Sequence, residues 1–235
     1  MQIPPLSDPI HRTLRRGILA GVGLCVVTIA YCVYRYPGIV ASPAGSRFLP
    51  LFLAGVLWYG LAALRLTRAN TRDDFVVLHY GARWGVVIGL VWVVEVIGGN
   101  VILPNSPVGM LATLTAVVLP AFAGAAGTAV TGRIRTGARI GFWSGVVSGL
   151  IAFVALASVG YLAASHPELM RDQELPPDIG RAYTAAELAT YNLADYLASG
   201  VSHLFILGAL FCSAAGALGG LLGRAVRSPQ PTLSH

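Results

Sequence analysis

Three polar side chains within or beside long apolar runs could do chemistry: Glu95, Asn100 and His203. Glu95 is the one acidic residue deep inside such a run, and it follows Arg83 by twelve positions, which is about 18 Å along a helix. Because an ionisable group is costly in hydrocarbon, Glu95 predicts a proton or cation site or a contact with a substrate. The alternative is structural: a protonated Glu95 that hydrogen-bonds a neighbouring helix and orients its packing.

The other two polar groups belong to the same half of the apolar runs. Asn100 lies five positions beyond Glu95, loosely on the same helix face, and Gly99 is expected to leave space beside the carboxyl group. His203 is two residues into the last apolar run, where a histidine is more often solvated than catalytic. A pair of Glu95 and His203 is geometrically possible.

Enzyme, cofactor and metal motifs are not found. The chain has no H-E-x-x-H, G-x-S-x-G or Walker sequence, and the glycines of residues 81–85 do not follow a strand as a dinucleotide fingerprint requires. Cys25, Cys32 and Cys212 lack metal-ligand spacing, so we interpret them as small packing residues. We therefore expect no enzyme activity, no metal and no cofactor.

The composition is typical of a polytopic membrane protein. The 235 residues are 55% hydrophobic and 11% charged, with a mean hydropathy of +0.70, which is too apolar for an ordinary soluble domain. The net charge of +6 comes from sixteen arginines and no lysine. Because these arginines lie beside the apolar runs, they indicate lipid headgroups rather than nucleic acid as the partner.

Six apolar runs are long enough to cross a hydrocarbon core, which takes about 20 helical residues. Continuous runs without period-two alternation favour helices over a β-barrel. The predicted fold is therefore all-α, with a six-helix domain over residues 14–226 and spans at about 14–34, 48–66, 84–103, 108–130, 140–164 and 201–226. The length of the first run predicts a retained span, and a signal sequence cleaved near residues 41–44 is the alternative.

The arginines predict the orientation of the spans. Twelve fall on one side, in the tail 1–13, two connections and the tail 227–235, together with the span ends beside them, and only Arg35, Arg47, Arg171 and Arg181 fall on the other. Since positively charged loops stay in the cytoplasm, both termini are expected there, and the expected location is a bacterial inner membrane.

The longest connection, residues 165–200, is predicted to be external and carries six of the ten acidic residues. The sequence from Thr184 to Glu187 fits a capping box at the start of a helix. The following residues place Asn192 on a polar side, which predicts a short amphipathic helix lying on the outer leaflet. A cap over a cavity between the spans is the alternative.

Glycines recur every fourth residue at the start of each odd-numbered span. The pattern R-x-G-x-x-x-G begins at Arg15, Arg83 and Arg139. Such rows let helix backbones come close, and their recurrence predicts one helical hairpin used three times in parallel. The glycines expected at helix contacts are Gly17, Gly21, Gly81, Gly85, Gly89, Gly137, Gly141, Gly145, Gly149, Gly216 and Gly220.

Two functional classes follow from these patterns. The first is a non-enzymatic accessory or scaffold subunit, or a homo-oligomer, whose glycine-lined faces bind a protein partner or a second copy within the lipid bilayer. The alternative is a small permease or channel with Glu95 on its path and Pro120, inside the fourth span, as a kink or hinge. A single carboxyl group is thin support for a pathway, so we favour the first class.

Overall fold

The computed structural model describes residues 9–66, 71–103, 106–166 and 184–226. Within these ranges helices are the only regular secondary structure, and two π-helical segments continue α-helices. The elements are α1 (Pro9–Arg35), α2 (Gly38–Ala41), α3 (Pro43–Leu66), α4 (Arg72–Val93) with π1 (Val94–Ile102), α5 (Pro107–Thr131), α6 (Ile134–Ser165), α7 (Ala185–Ser202), π2 (His203–Phe211) and α8 (Cys212–Val226).

Six of the described helices are long and apolar enough to cross a membrane, and they lie at Arg12–Arg35, Pro43–Arg65, Asp73–Gly99, Pro107–Thr131, Ile134–Ser165 and Ala185–Val226. The all-helical prediction is confirmed. Large apolar side chains such as Leu57, Leu90 and Leu114 are exposed on the outside of the bundle. An apolar exterior is what a surface facing lipid requires, so these helices indicate a membrane protein.

Helix α6 lies at the centre of the bundle. It packs against α1, α4, α5, α7 and α8, and 67% of its most apolar stretch is buried. Helices α4, α5, α6 and α8 form a closely packed core, α1 packs on α6 and α4 with fewer contacts, and α3 packs on α1 and α7. The inner and outer helices therefore offer different surroundings to similar sequence patterns.

Helix α4 begins well before the predicted start of the third span at residue 84. Its first turn is capped by Thr71, whose hydroxyl accepts the backbone N–H of Asp74, while the Asp74 carboxylate accepts the N–H of Thr71. The added turns mix charged residues with the short apolar run from Phe75 to Leu78, so hydropathy alone does not mark where the helix begins. The sequence Thr71-x-x-Asp74 is the local signal that marks this start.

Two ion pairs join the beginning of α4 to the beginning of α6. Arg133 lies 2.6 Å from Asp73, and Arg139 lies 2.6 Å from Asp74. We call this part of the molecule the arginine-rich end.

The last helix differs from the prediction. Its capping box at Thr184 and Glu187 is confirmed, but the helix continues without a break from Ala185 to Val226. The prediction of a polar position for Asn192 is wrong, because this side chain is buried, as is its neighbour Leu193, which lies beside Gly160 of α6. Because α7 packs against α6, this segment runs along the bundle.

Pro120 lies inside α5, which continues through it from Pro107 to Thr131. Its side chain is buried.

Candidate functional site

The glycine row of α6 lies directly against the last helix. A Cβ atom on Gly137 would stand 2.6 Å from the carbonyl oxygen of Gly216, and one on Gly141 would overlap the carbonyl oxygen of Cys212. The same face continues through Gly145 and Gly149, which meet backbone atoms of Gly208, His203 and Leu204. Side chains would hold these two backbones apart, so the glycines set the distance between the helices.

The glycine row of α4 lies against a different face of α6. Cβ atoms added here would come within 2.5 to 2.6 Å of side-chain atoms of α6, with Gly81, Gly85 and Gly89 facing Trp143, Val147 and Ile151 respectively. On α8, Gly220 faces Thr128 of α5, whose hydroxyl oxygen would be 2.9 Å from an added Cβ. The glycine rows of α4, α6 and α8 are thus covered by helices of the same chain.

The glycine row of α1 has a different environment. An added Cβ on Gly17 would have no atom within 4 Å, and one on Gly21 would be 3.1 Å from the Cδ1 atom of Leu150. These glycines border a groove of about 650 Å³ between α1, α4 and α6, which we call the α1 groove. Its lining is apolar apart from Thr13 and Ser158.

The α1 groove opens to the side of the bundle. Three of its lining residues, Leu24, Val86 and Ile97, keep 51%, 46% and 37% of their surface exposed. From Thr13 to Leu24 the groove follows α1 for about 16 Å, given the rise of a helix. A long apolar molecule could therefore enter it from the side of the bundle.

A group of polar and aromatic side chains joins the ends of α1 and α6. The hydroxyl oxygens of Tyr31 and Tyr161 are 3.1 Å apart, and those of Tyr36 and Ser165 are 3.4 Å apart. The guanidinium carbon of Arg35 lies 5.7 Å from the centre of the Tyr36 ring. We call these five residues the tyrosine–arginine cluster.

Helix geometry places this cluster at one end of the α1 groove. Tyr31 and Arg35 follow the groove residue Leu24 by seven and eleven positions, which are two and three turns on one helix face. Tyr161 follows the groove residue Ser158 by three positions, which is one turn of α6. The groove residues are thus followed, on the same faces of α1 and α6, by polar side chains and the positive charge of Arg35.

The two ionisable residues predicted from the sequence lie in the two π-helical segments. Glu95 belongs to π1, is half-buried and has no recorded hydrogen bond or ion pair with a described residue. His203 begins π2, and its Nδ1 atom lies 2.9 Å from the carbonyl oxygen of Ser199. Since π-helical turns are often found at functional sites, their coincidence with these residues favours a polar site.

The third and last spans meet close to these residues. The rings of Trp92 and His203 are perpendicular, with centroids 4.7 Å apart, and Trp92 precedes Glu95 by three residues. The structure brings His203 to the neighbourhood of Glu95 but records no bond between them. Gly99 faces Gly109 of α5, with the added Cβ only 3.0 Å from the Gly109 Cα atom, so the space expected beside Glu95 is taken by a helix.

Asn100 falls within the π1 backbone, and its side chain lies outside the described part of the chain.

Sequence reasoning missed the tyrosine–arginine cluster because its members come from two helices separated by about 130 positions. Aromatic and arginine residues near the end of the first run were a signal for the headgroup region, but nothing in their spacing indicates Tyr161 as a neighbour. It also missed Tyr59, which is buried and donates a hydrogen bond to the Leu204 carbonyl oxygen in π2.

Within the described ranges, no three histidine, cysteine, aspartate or glutamate side chains lie close enough together to hold a metal ion. No protein-family model matches this sequence, and comparison with curated proteins and with solved structures gave no significant match.

Proposed function

We propose that this chain is a non-enzymatic accessory subunit that lies in a membrane and binds a lipid molecule in the α1 groove. The observation that carries the proposal is the partly uncovered glycine row of α1: a Cβ on Gly17 would meet no atom within 4 Å and one on Gly21 only the side chain of Leu150, whereas the corresponding rows of α4 and α6 are each covered by another helix. An exposed apolar face of this kind is a typical binding surface for a second molecule within the bilayer.

The shape and chemistry of the groove favour a lipid. Its volume of about 650 Å³ is within the range of ligand sites, roughly 300–1,000 Å³. The lining is apolar, the side is open to the bilayer, and one end carries the tyrosine–arginine cluster. An amphiphile also has an apolar part and a polar end, so it fits an apolar groove that has polar side chains beyond one end.

The glycine faces of the core helices are less suitable for binding a partner. Those of α4, α6 and α8 already contact helices of this chain, so a partner that used them would have to separate the core. The proposal therefore keeps the non-enzymatic accessory role and moves its binding surface from these faces to the α1 groove.

The permease alternative is supported by the two π segments and by the contact between Trp92 and His203. A transport path usually needs several polar groups at one depth. Helix α5, which packs against π1, has no ionisable residue. It therefore adds no charged group to a transport path beside Glu95 and His203. The groove is the stronger basis for a function.

We also propose that both termini lie in the cytoplasm of a bacterial inner membrane. The arginine count supports this orientation, and the pairs Asp73–Arg133 and Asp74–Arg139 join two connections that the count assigns to one side. Duplication of the last two hairpins is supported by the packing of α4 beside α6 and of α5 beside α8, since these are the corresponding helices of the two hairpins.

The test is to count the lipid molecules that stay bound when the full chain is purified in mild detergent, using native mass spectrometry. Gly17→Leu places a side chain in the groove and is expected to lower lipid occupancy about tenfold. Ser158→Phe narrows the other end of the groove and should lower occupancy in the same direction. The matched control is Gly23→Leu, because Gly23 also has no neighbour within 4 Å but does not line the groove.

A wild-type chain that carries no lipid, or equal loses in Gly17→Leu and Gly23→Leu, would contradict the proposal. So would a polypeptide that is released from the wild-type chain by Gly17→Leu while lipid occupancy stays constant.

A further inference from the structure

We propose that the tyrosine–arginine cluster binds the phosphate group of a phospholipid whose acyl chain lies in the α1 groove. This inference rests on the proposed function and adds the chemical class of the lipid and its direction in the groove. The phosphate is held at the end of the bundle where α1 and α6 end, and the acyl chain runs from there towards the arginine-rich end.

Charge complementarity is the first argument. Arg35 is exposed and has no ion pair with a described residue. Its guanidinium group lies over the Tyr36 ring and is also hydrogen-bonded to the Tyr161 hydroxyl, which leaves its other N–H donors for a ligand. A guanidinium group that stacks on an aromatic ring keeps its N–H donors at its edge, where they can bind two phosphate oxygens at once. The single negative charge of a phosphodiester balances the positive charge of Arg35.

Hydrogen-bond donors are the second argument. When two tyrosine hydroxyls are within bonding distance, one donates to the other, and the accepting hydroxyl keeps its own O–H for a further acceptor. Tyr31 and Tyr161 form such a pair at 3.1 Å, and Tyr31 is 51% exposed. The cluster therefore presents a hydroxyl donor beside the guanidinium group, which suits a phosphate oxygen.

Position is the third argument. The cluster lies two to three turns beyond Leu24 on the groove face of α1, about 10 to 16 Å further along the helix. Tyrosines are typical of the headgroup region of a membrane. A phosphate at this depth can belong to a lipid whose acyl chain enters the groove, whereas a lipid with no phosphate could occupy the groove without using Arg35.

The experiment offers the delipidated full chain an equal mixture of phosphatidylglycerol and diacylglycerol that carry the same acyl chains, and measures both adducts by native mass spectrometry. The wild-type chain is expected to prefer phosphatidylglycerol. Arg35→Gln should reduce that preference about tenfold while leaving diacylglycerol binding unchanged. The paired change Tyr31→Phe with Tyr161→Phe should reduce the preference by a smaller factor, because the guanidinium charge remains.

Arg47→Gln is the matched control, because Arg47 is also exposed and lies near the start of α3, the next long helix after α1. This variant should keep the wild-type preference. Full preference in Arg35→Gln would overturn the phosphate assignment and leave the groove proposal standing. Loss of both lipids in Arg35→Gln would also overturn it, because Arg35 would then shape the groove. Failure of the wild-type chain to bind either lipid would instead remove the proposed function itself.

Discussion

The glycine rows of α6 and α1 share one sequence pattern but have opposite environments. Gly141 faces the backbone of the last helix so closely that a Cβ atom would overlap the Cys212 carbonyl oxygen, whereas Gly17 faces empty space. A glycine row thus makes close approach of two helices possible, and the position of its helix in the bundle decides whether another helix packs against it.

The position of each helix explains this difference. Helix α6 is central and has neighbours on every side, while α1 is peripheral and has only 22% of its most apolar stretch buried. Without a hydrophobic force between helices in lipid, packing contacts decide which faces are covered. The Gly17 end of this peripheral row is therefore free for a different molecule, and stability measurements can distinguish it from the covered row of α6.

The largest effect is expected from Gly141→Ala. The new Cβ atom meets a carbonyl oxygen of the last helix, and backbone atoms cannot move aside without shifting the helix. We expect the free energy of unfolding to fall by about 1–3 kcal/mol or more, as for other overpacked sites. Thermal unfolding of the purified chain in detergent measures this change. An unchanged unfolding temperature would show that α6 and the last helix are not packed through this row.

An intermediate effect is expected from Gly89→Ala. The three atoms nearest to its Cβ atom all belong to the Ile151 side chain, with Cδ1 at 2.6 Å and Cβ at 2.9 Å. A new rotamer can move Cδ1 away, whereas the contact with the Ile151 Cβ requires a small shift of the backbone. We expect a loss of about 1 kcal/mol, less than for Gly141→Ala. Since Ile151→Val removes Cδ1, the double variant should be more stable than the sum of the two single changes predicts. Strict additivity would argue that α4 and α6 do not pack at this position.

Much of the fold could be predicted from the sequence, because length and continuous hydropathy suffice to identify helices that can cross a membrane. The first and last residues of the helices are harder to predict. The first turns of α4 mix charged residues with apolar ones, and the capping residues Thr71 and Asp74 mark where they begin. The amphipathic pattern predicts a polar face for Asn192, but the helix packs within the bundle and this side chain is buried.

The candidate site was harder to predict than the fold, because it depends on which helices become neighbours. The individual residues Glu95 and His203 could be found from their charge in apolar surroundings. The contact between Trp92 and His203, and the one between Tyr31 and Tyr161, join distant parts of the chain. A single sequence contains no signal that specifies such pairs.

The smallest effect is expected from Gly17→Ala, and it tests the other half of the comparison. An alanine here meets no atom within 4 Å, and alanine favours a helix over glycine by up to about 1 kcal/mol. The unfolding temperature of the delipidated chain should therefore stay constant or rise slightly. If it fell as far as in Gly141→Ala, the row of α1 would have to be covered by another helix, and the α1 groove would be closed to a lipid.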